Sequence, residues 1–132
     1  MALEAIEAAL DAPAPGRMAD WIKTVIAALD ALIAALAEQA DHNRHPDSLL
    51  TQIADEQPRF SSQIAQLEDD LDELIAAEKA LRSELTLSSE LQPDQVRTRQ
   101  LLADLDARYR VLRAREADLV FEAFHLDIGG KG

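Results

Sequence analysis

One apolar seam, over residues 50–85, constrains the fold of this chain more than any other feature. Its positions follow one another in alternating steps of three and four, and the order holds along the whole stretch. The seam consists of Leu50, Ile53, Gln57, Phe60, Ile64, Leu67, Leu71, Leu74, Glu78, Leu81 and Leu85. This heptad spacing requires a partner helix along its length. A helix carrying it would be roughly 54 Å long.

A second seam with the same spacing lies towards the end of the chain. It consists of Leu102, Leu105, Tyr109, Leu112, Glu116, Leu119 and Ala123. Residues 86–93, between the two seams, include serines and a proline and indicate a turn. A short turn between two long helices favours antiparallel packing. We therefore predict a long antiparallel coiled-coil hairpin, made by helices over 48–86 and 94–124.

The charge pattern supports this pairing. If the hairpin turns near residue 90, an acidic run in the first helix faces arginines in the second, and opposite charges beside a seam set orientation and register. The acidic run is Glu68, Asp69, Asp70, Asp72 and Glu73, and the arginines are Arg108, Arg110 and Arg113. Both groups are also candidates for contact with another protein, since an acidic run can attract a cationic partner.

Polar residues and a proline interrupt the first seam. Pro58 predicts a kink in the helix; in the alternative interpretation, Gln57 caps one helix and Pro58 begins the next. Glu78, and Glu116 in the second seam, are either buried carboxylates that act as a switch or side chains whose charged ends reach an arginine or water. Arg82 is the nearest arginine in sequence to Glu78, with Arg99 across the hairpin.

The first third of the chain predicts a helix over 18–41 that is apolar around most of its girth, as in helices buried between several neighbours. A short helix over 2–11 precedes it, joined by a proline-containing connector. The alternative, an amphipathic membrane helix around Trp21, lacks the basic polar face such helices carry. We predict an all-α domain over 1–132: a three-helix bundle with a short N-terminal helix, the tip of the hairpin projecting and a flexible tail at 127–132. Surplus apolar surface suggests a homodimer.

Composition narrows the classes of function. Alanine and leucine dominate an apolar content of 48%, which favours helices over strands. A formal net charge of -12 disfavours nucleic acid and anionic membranes as partners. The chain contains no cysteine, which excludes disulfides and thiol catalysis. No signal peptide or membrane-spanning stretch is evident, so we expect a cytoplasmic protein.

Motifs for catalysis or cofactor binding are not evident, and we expect no enzyme activity, no cofactor and no metal site. The weak metal candidates are His42 and His45, in a predicted turn over 42–47 from which Asp47 would cap the next helix. Glu90 and Asp94 lie at the predicted tip of the hairpin. A long helical hairpin with acids at its tip is similar in outline, though not in motif, to factors that enter the secondary channel of RNA polymerase.

The sequence therefore predicts a non-enzymatic helical interaction protein: a scaffold, an adaptor or a regulator. The alternatives are an accessory factor of a larger enzyme, such as RNA polymerase or a protease, and a helical-bundle carrier of a ligand or metal.

Overall fold

The computed structural model describes residues 5–8, 18–87 and 95–129, and within these ranges the chain is helical without any strand. Residues 5–8 are helical. The longer helices are α1 (Met18–Arg44), α2 (Leu49–Glu56), α3 (Ser61–Leu87) and α4 (Gln95–Gly129), with a single 3-10 turn at Pro58–Phe60 before α3. The predicted all-α bundle is confirmed.

α1 is buried along one broad face because its large apolar residues recur every three or four positions. The buried residues are Trp21, Ile22, Val25, Ala28, Leu29, Leu32, Leu36 and Ala40. The helix continues to Arg44, beyond the expected end at residue 41. The turn after it is correspondingly shorter than predicted, and only His45, Pro46 and Asp47 separate the helix from the cap of α2.

Ser48, rather than the predicted Asp47, caps α2. Its hydroxyl oxygen accepts a hydrogen bond from the backbone N–H of Thr51 at 3.2 Å, and its O–H donates to the backbone carbonyl of Asn43 at 2.8 Å. The buried side chain of Ser48 therefore forms hydrogen bonds with both the last turn of α1 and the first turn of α2. Asp47 lies one residue too early to reach the unsatisfied N–H groups of the first turn.

The predicted single helix over 48–86 is interrupted at Gln57. This residue has φ -132° and ψ 78°, which ends α2, and Pro58 occupies the start of the following 3-10 turn. Proline is tolerated there because its missing N–H would have no helical partner. The predicted kink in a continuous helix is therefore wrong. The structure has the alternative arrangement, in which Gln57 is the cap and Pro58 is the first residue of the next helical turn.

Polar contacts define how α3 and α4 lie against each other. Glu84 pairs with Arg97, and Asp70 with Arg115 at 2.6 Å. The side-chain amide of Gln57, just before α3, donates to the backbone carbonyl of Ala123 at 3.1 Å. The end of α3 thus lies beside the start of α4, and the start of α3 lies beside the second half of α4. α4 also continues to Gly129, beyond the expected end at residue 124 and into the predicted tail.

α1 packs mainly on α3, where Asp30 pairs with Arg82 and Asp72 with Arg44. Trp21, near the start of α1, lies against Arg99 near the start of α4, with 4.9 Å between the guanidinium carbon and the centre of the ring. α1 therefore covers the turn side of the α3–α4 pair. The tip that was expected to project, near residue 90, lies outside the described residues. The opposite end of the α3–α4 pair extends past α1 and is covered by α2.

The interior consists of two apolar clusters. The larger joins α1, α3, the first half of α4 and Ile6, which is 1% exposed. The smaller lies at the α2 end and contains Leu50, Ile53, Phe60, Ile64, Leu67, Leu119 and Ala123. Leu112 packs against both clusters, so the two cores meet near the middle of α4.

Candidate interaction surface

The acidic run on α3 is divided among several neighbours. Asp72 pairs with Arg44 of α1, and Asp70 accepts hydrogen bonds from Arg115 and Gln66. These bonds to Arg115 and Gln66 hold the pKa of Asp70 below its usual value. Asp69 is exposed. Much of the run therefore stabilises contacts between helices within the chain.

The three predicted arginine partners are placed differently from one another. Arg108 lines a shallow groove with Asp70 and Glu73. Arg113 lines a small cavity with Glu68 and Glu116. Both lie near the acidic run, as expected. Arg110 faces elsewhere: it bonds to Asp106 at 3.1 Å and pairs with Glu7 in the N-terminal segment.

Other predicted site residues offer less to a partner. Trp21 is 4% exposed and belongs to the larger apolar cluster, so its ring is not at the surface. His42 and His45 are exposed, and within the described ranges no group of three or more His, Asp or Glu side chains is placed to hold a metal ion. Glu90 and Asp94, on which the likeness to polymerase factors depends, lie outside the described residues.

The second half of α4 carries an exposed apolar row that the sequence reasoning missed. Phe121 is 71% exposed and Phe124 is 53% exposed. Ala114 and Ala117, also exposed, precede them on the same side of the helix. We call these four residues the α4 outer row. Two phenylalanines with most of their surface in water are unusual enough on a small domain to indicate a contact surface.

The α4 outer row lies beside a shallow groove. Val120, Phe121, Phe124 and Ala117 form its apolar part, with Arg113 and Glu116 at one end. The ring of Phe121 stacks on that of His125, with centroids 5.7 Å apart and an angle of 7°. In the first half of α4, the face in line with this row is covered, because Arg110 pairs with Glu7 and Arg99 lies over Trp21. In the second half the same face is open.

The sequence did contain a signal for this row. Positions 114, 117, 121 and 124 are all apolar and follow one another in steps of three, four and three. The α4 outer row therefore has heptad spacing of its own, and it is rotated around the helix from the seam of α4 that packs on α3. Val111, which lies off both rows of α4, is 57% exposed, whereas Ile75 belongs to the larger cluster and Leu101 packs against it.

Glu78 is the other unusual feature. Its side chain is fully buried in α3, and neither carboxylate oxygen has a hydrogen-bond partner. Of the arginines expected nearby, Arg82 bonds to Asp30 and Arg99 lies over Trp21. Burial raises the pKa of Glu78 to about 7, and the positive charge of Arg108 opposes that rise only in part.

The remaining seam carboxylate, Glu116, is half-buried beside a cavity of about 20 Å³ between the two apolar clusters. Tyr109, Leu112 and Asn43 also line this space, which is large enough for one water molecule. Glu116 is therefore in a wetter position than Glu78, which fits a carboxylate whose apolar stem packs and whose head stays hydrated.

Comparison of the chain with protein-family models, with curated proteins and with solved structures finds no match. Across the described helices, none is both long and apolar enough to cross a membrane.

Proposed function

We propose that this chain is a non-enzymatic helical interaction protein, a scaffold, adaptor or regulator, that binds a partner protein through the α4 outer row. The observation that carries the proposal is the exposure of Phe121 and Phe124 next to two exposed alanines. Burying a phenylalanine side chain is worth about 1.5–3 kcal/mol. Binding of a partner that covers both rings is therefore favoured by the free energy of removing them from water.

The geometry of the row favours a helix as the partner. Helices that bind one another present anchors in steps of three and four, and the alanines let the backbones approach closely. We interpret the α3–α4 pair as a coiled coil whose inner seam stabilises the fold, while the outer row serves binding. We propose the cytoplasm as the site of action, in line with the absence of cysteine.

Site-specific photocrosslinking in the producing cell tests this proposal. A benzophenone amino acid in place of Ala117 should give an adduct of one defined mass. The same probe in place of Asp104, an exposed residue on a different face of α4, is the matched control and should give none. Equal labelling from both positions, or no adduct from Ala117, would count against binding through the outer row.

A further inference from the structure

The α4 outer row has an order of sizes that suits it to a particular occupant. Its two small residues, Ala114 and Ala117, come first along the helix, and its two large ones, Phe121 and Phe124, come last. A second helix that covers the row needs large side chains opposite the alanines and small ones opposite the phenylalanines, because interfaces pack at the density of protein interiors.

The same row on a second copy of the chain meets this requirement when the two α4 helices run in opposite directions. A two-fold axis at the level of Leu119 places Phe121 of each copy opposite Ala117 of the other, since these positions are equally far from residue 119. The same axis places Phe124 opposite Ala114. Both pairs thus match with a single axis, as an isologous interface demands.

From this self-complementarity we propose that the occupant of the α4 outer row is a second copy of this chain, bound as an antiparallel, two-fold symmetric α4–α4 pair. The inference rests on the proposed function, because it names the partner of the same surface. It differs from the general expectation of a dimer, which was drawn from surplus apolar area on α1. The large apolar residues of α1 are buried within the chain, apart from the half-buried Ile26 and Ile33, so α4 offers the more exposed apolar surface.

The size of the row predicts a weak dimer. Four phenylalanine rings become covered, but the two chains lose translational and rotational freedom on association, which offsets much of that gain. We expect a dissociation constant on the order of 1–100 µM. Light scattering and sedimentation equilibrium from about 1 to 500 µM should therefore show a change from monomer to dimer.

A size-swap experiment tests the pairing itself. Phe121→Ala leaves a gap opposite Ala117, and Ala117→Phe forces two rings together, so each should weaken the dimer by about 10-fold or more. The double variant A117F/F121A restores a large side chain opposite a small one and should recover most of the lost affinity. These residues are exposed, so helical content at monomer concentrations should stay unchanged in all three variants.

A cysteine control checks the register, because the natural chain contains no thiol. An oxidised mixture of Ala117→Cys and Phe121→Cys chains, one of them tagged, should form the mixed disulfide dimer in preference to either self-pair. Asp104→Cys chains should form none.

Several outcomes would overturn the proposal. A strict monomer at about 500 µM would do so, as would a dimer that is insensitive to Phe121→Ala, or a double variant no tighter than the single ones. If the chain stays monomeric while the probe at Ala117 still captures a different protein, the self-pairing is wrong and the proposed function stands. If neither is observed, both are wrong.

Discussion

A carboxylate that leaves water loses hydration worth several kcal/mol unless hydrogen bonds or a close positive charge replace it. At the scale of single residues, Glu78 has lost its hydration, and the protein replaces it only in part. Both of its oxygens lack partners, and Arg108 supplies only a partial electrostatic offset. Since the ionised form is penalised in the folded state, the buried side chain holds its proton to a pH well above that of an ordinary glutamate.

This predicts a stability that falls as pH rises. The unfolded chain releases the Glu78 proton near pH 4.5, whereas the folded chain holds it to about pH 7. Between these values the unfolded state binds fewer protons, so rising pH favours unfolding, and the loss reaches about 3 kcal/mol above pH 7. Urea unfolding at pH 5 and pH 8 should show that Glu78→Gln removes most of this loss.

Glu73→Gln is the matched control, because Glu73 lies on the same helix and is exposed. It should leave the difference between the two pH values as it is in the natural chain. If Glu78→Gln loses as much stability between pH 5 and pH 8 as the natural chain does, Glu78 is not the group that titrates.

At the scale of elements, the ion pairs between α3 and α4 fix their register. Asp70 and Arg115 should be energetically coupled by about 0.2–1 kcal/mol, the usual range for exposed ion pairs. Arg115→Asp should destabilise the bundle, and adding Asp70→Arg should recover part of the loss. Thermal or urea unfolding of the two single variants and the double variant measures this coupling.

Arg110 provides the comparison that decides between two registers. The sequence placed it opposite the acidic run, whereas in the structure it bonds to Asp106 and Glu7. A cycle of Asp70→Arg with Arg110→Asp should therefore show coupling near zero. Coupling stronger than that of Asp70 with Arg115 would mean that α4 is rotated or shifted relative to the structure.

The elements also show how far sequence reasoning reaches. Every position of the heptad seam within α3, from Ile64 to Leu85, is buried, because a stripe with this spacing stays on one face of the helix. The seam did not include Ile75, which is also buried. It did not resolve Pro58, where two backbone conformations fit the same pattern. It also missed Ser48, because aspartate and serine are both favoured caps, and only the structure shows that Ser48 rather than Asp47 accepts from the N–H of Thr51.

The candidate surface was harder to predict for a related reason. A row such as Ala114, Ala117, Phe121 and Phe124 is apolar whether another helix of the chain covers it or not. Only the packed structure shows that α1 does not extend over it and that both rings stay exposed. The charged candidates were predicted as contacts for another protein because they form a dense acidic run. In the structure, however, Asp70 and Asp72 already form ion pairs within the chain.

At the scale of the whole molecule, the division of the interior into two clusters should divide its stability as well. The smaller cluster depends on Phe60, which is 2% exposed and lies in the 3-10 turn between α2 and α3. Local opening proceeds through the region with fewest buried contacts. We therefore expect the α2 end of the molecule to open without unfolding of the larger cluster.

Hydrogen exchange on Phe60→Ala tests this division. Loss of a buried phenylalanine costs about 3–5 kcal/mol. Amides of α2 and of residues 112–125 should thus exchange on the order of 100- to 1000-fold faster, while those of α1 keep their protection. Leu74→Ala, in the larger cluster, should instead speed exchange in α1, α3 and α4 alike. Measurement at low micromolar concentration keeps self-association from masking α4. If Phe60→Ala speeds exchange equally in α1, the two clusters form one cooperative unit, and the α4 outer row is as rigidly held as the rest of the bundle.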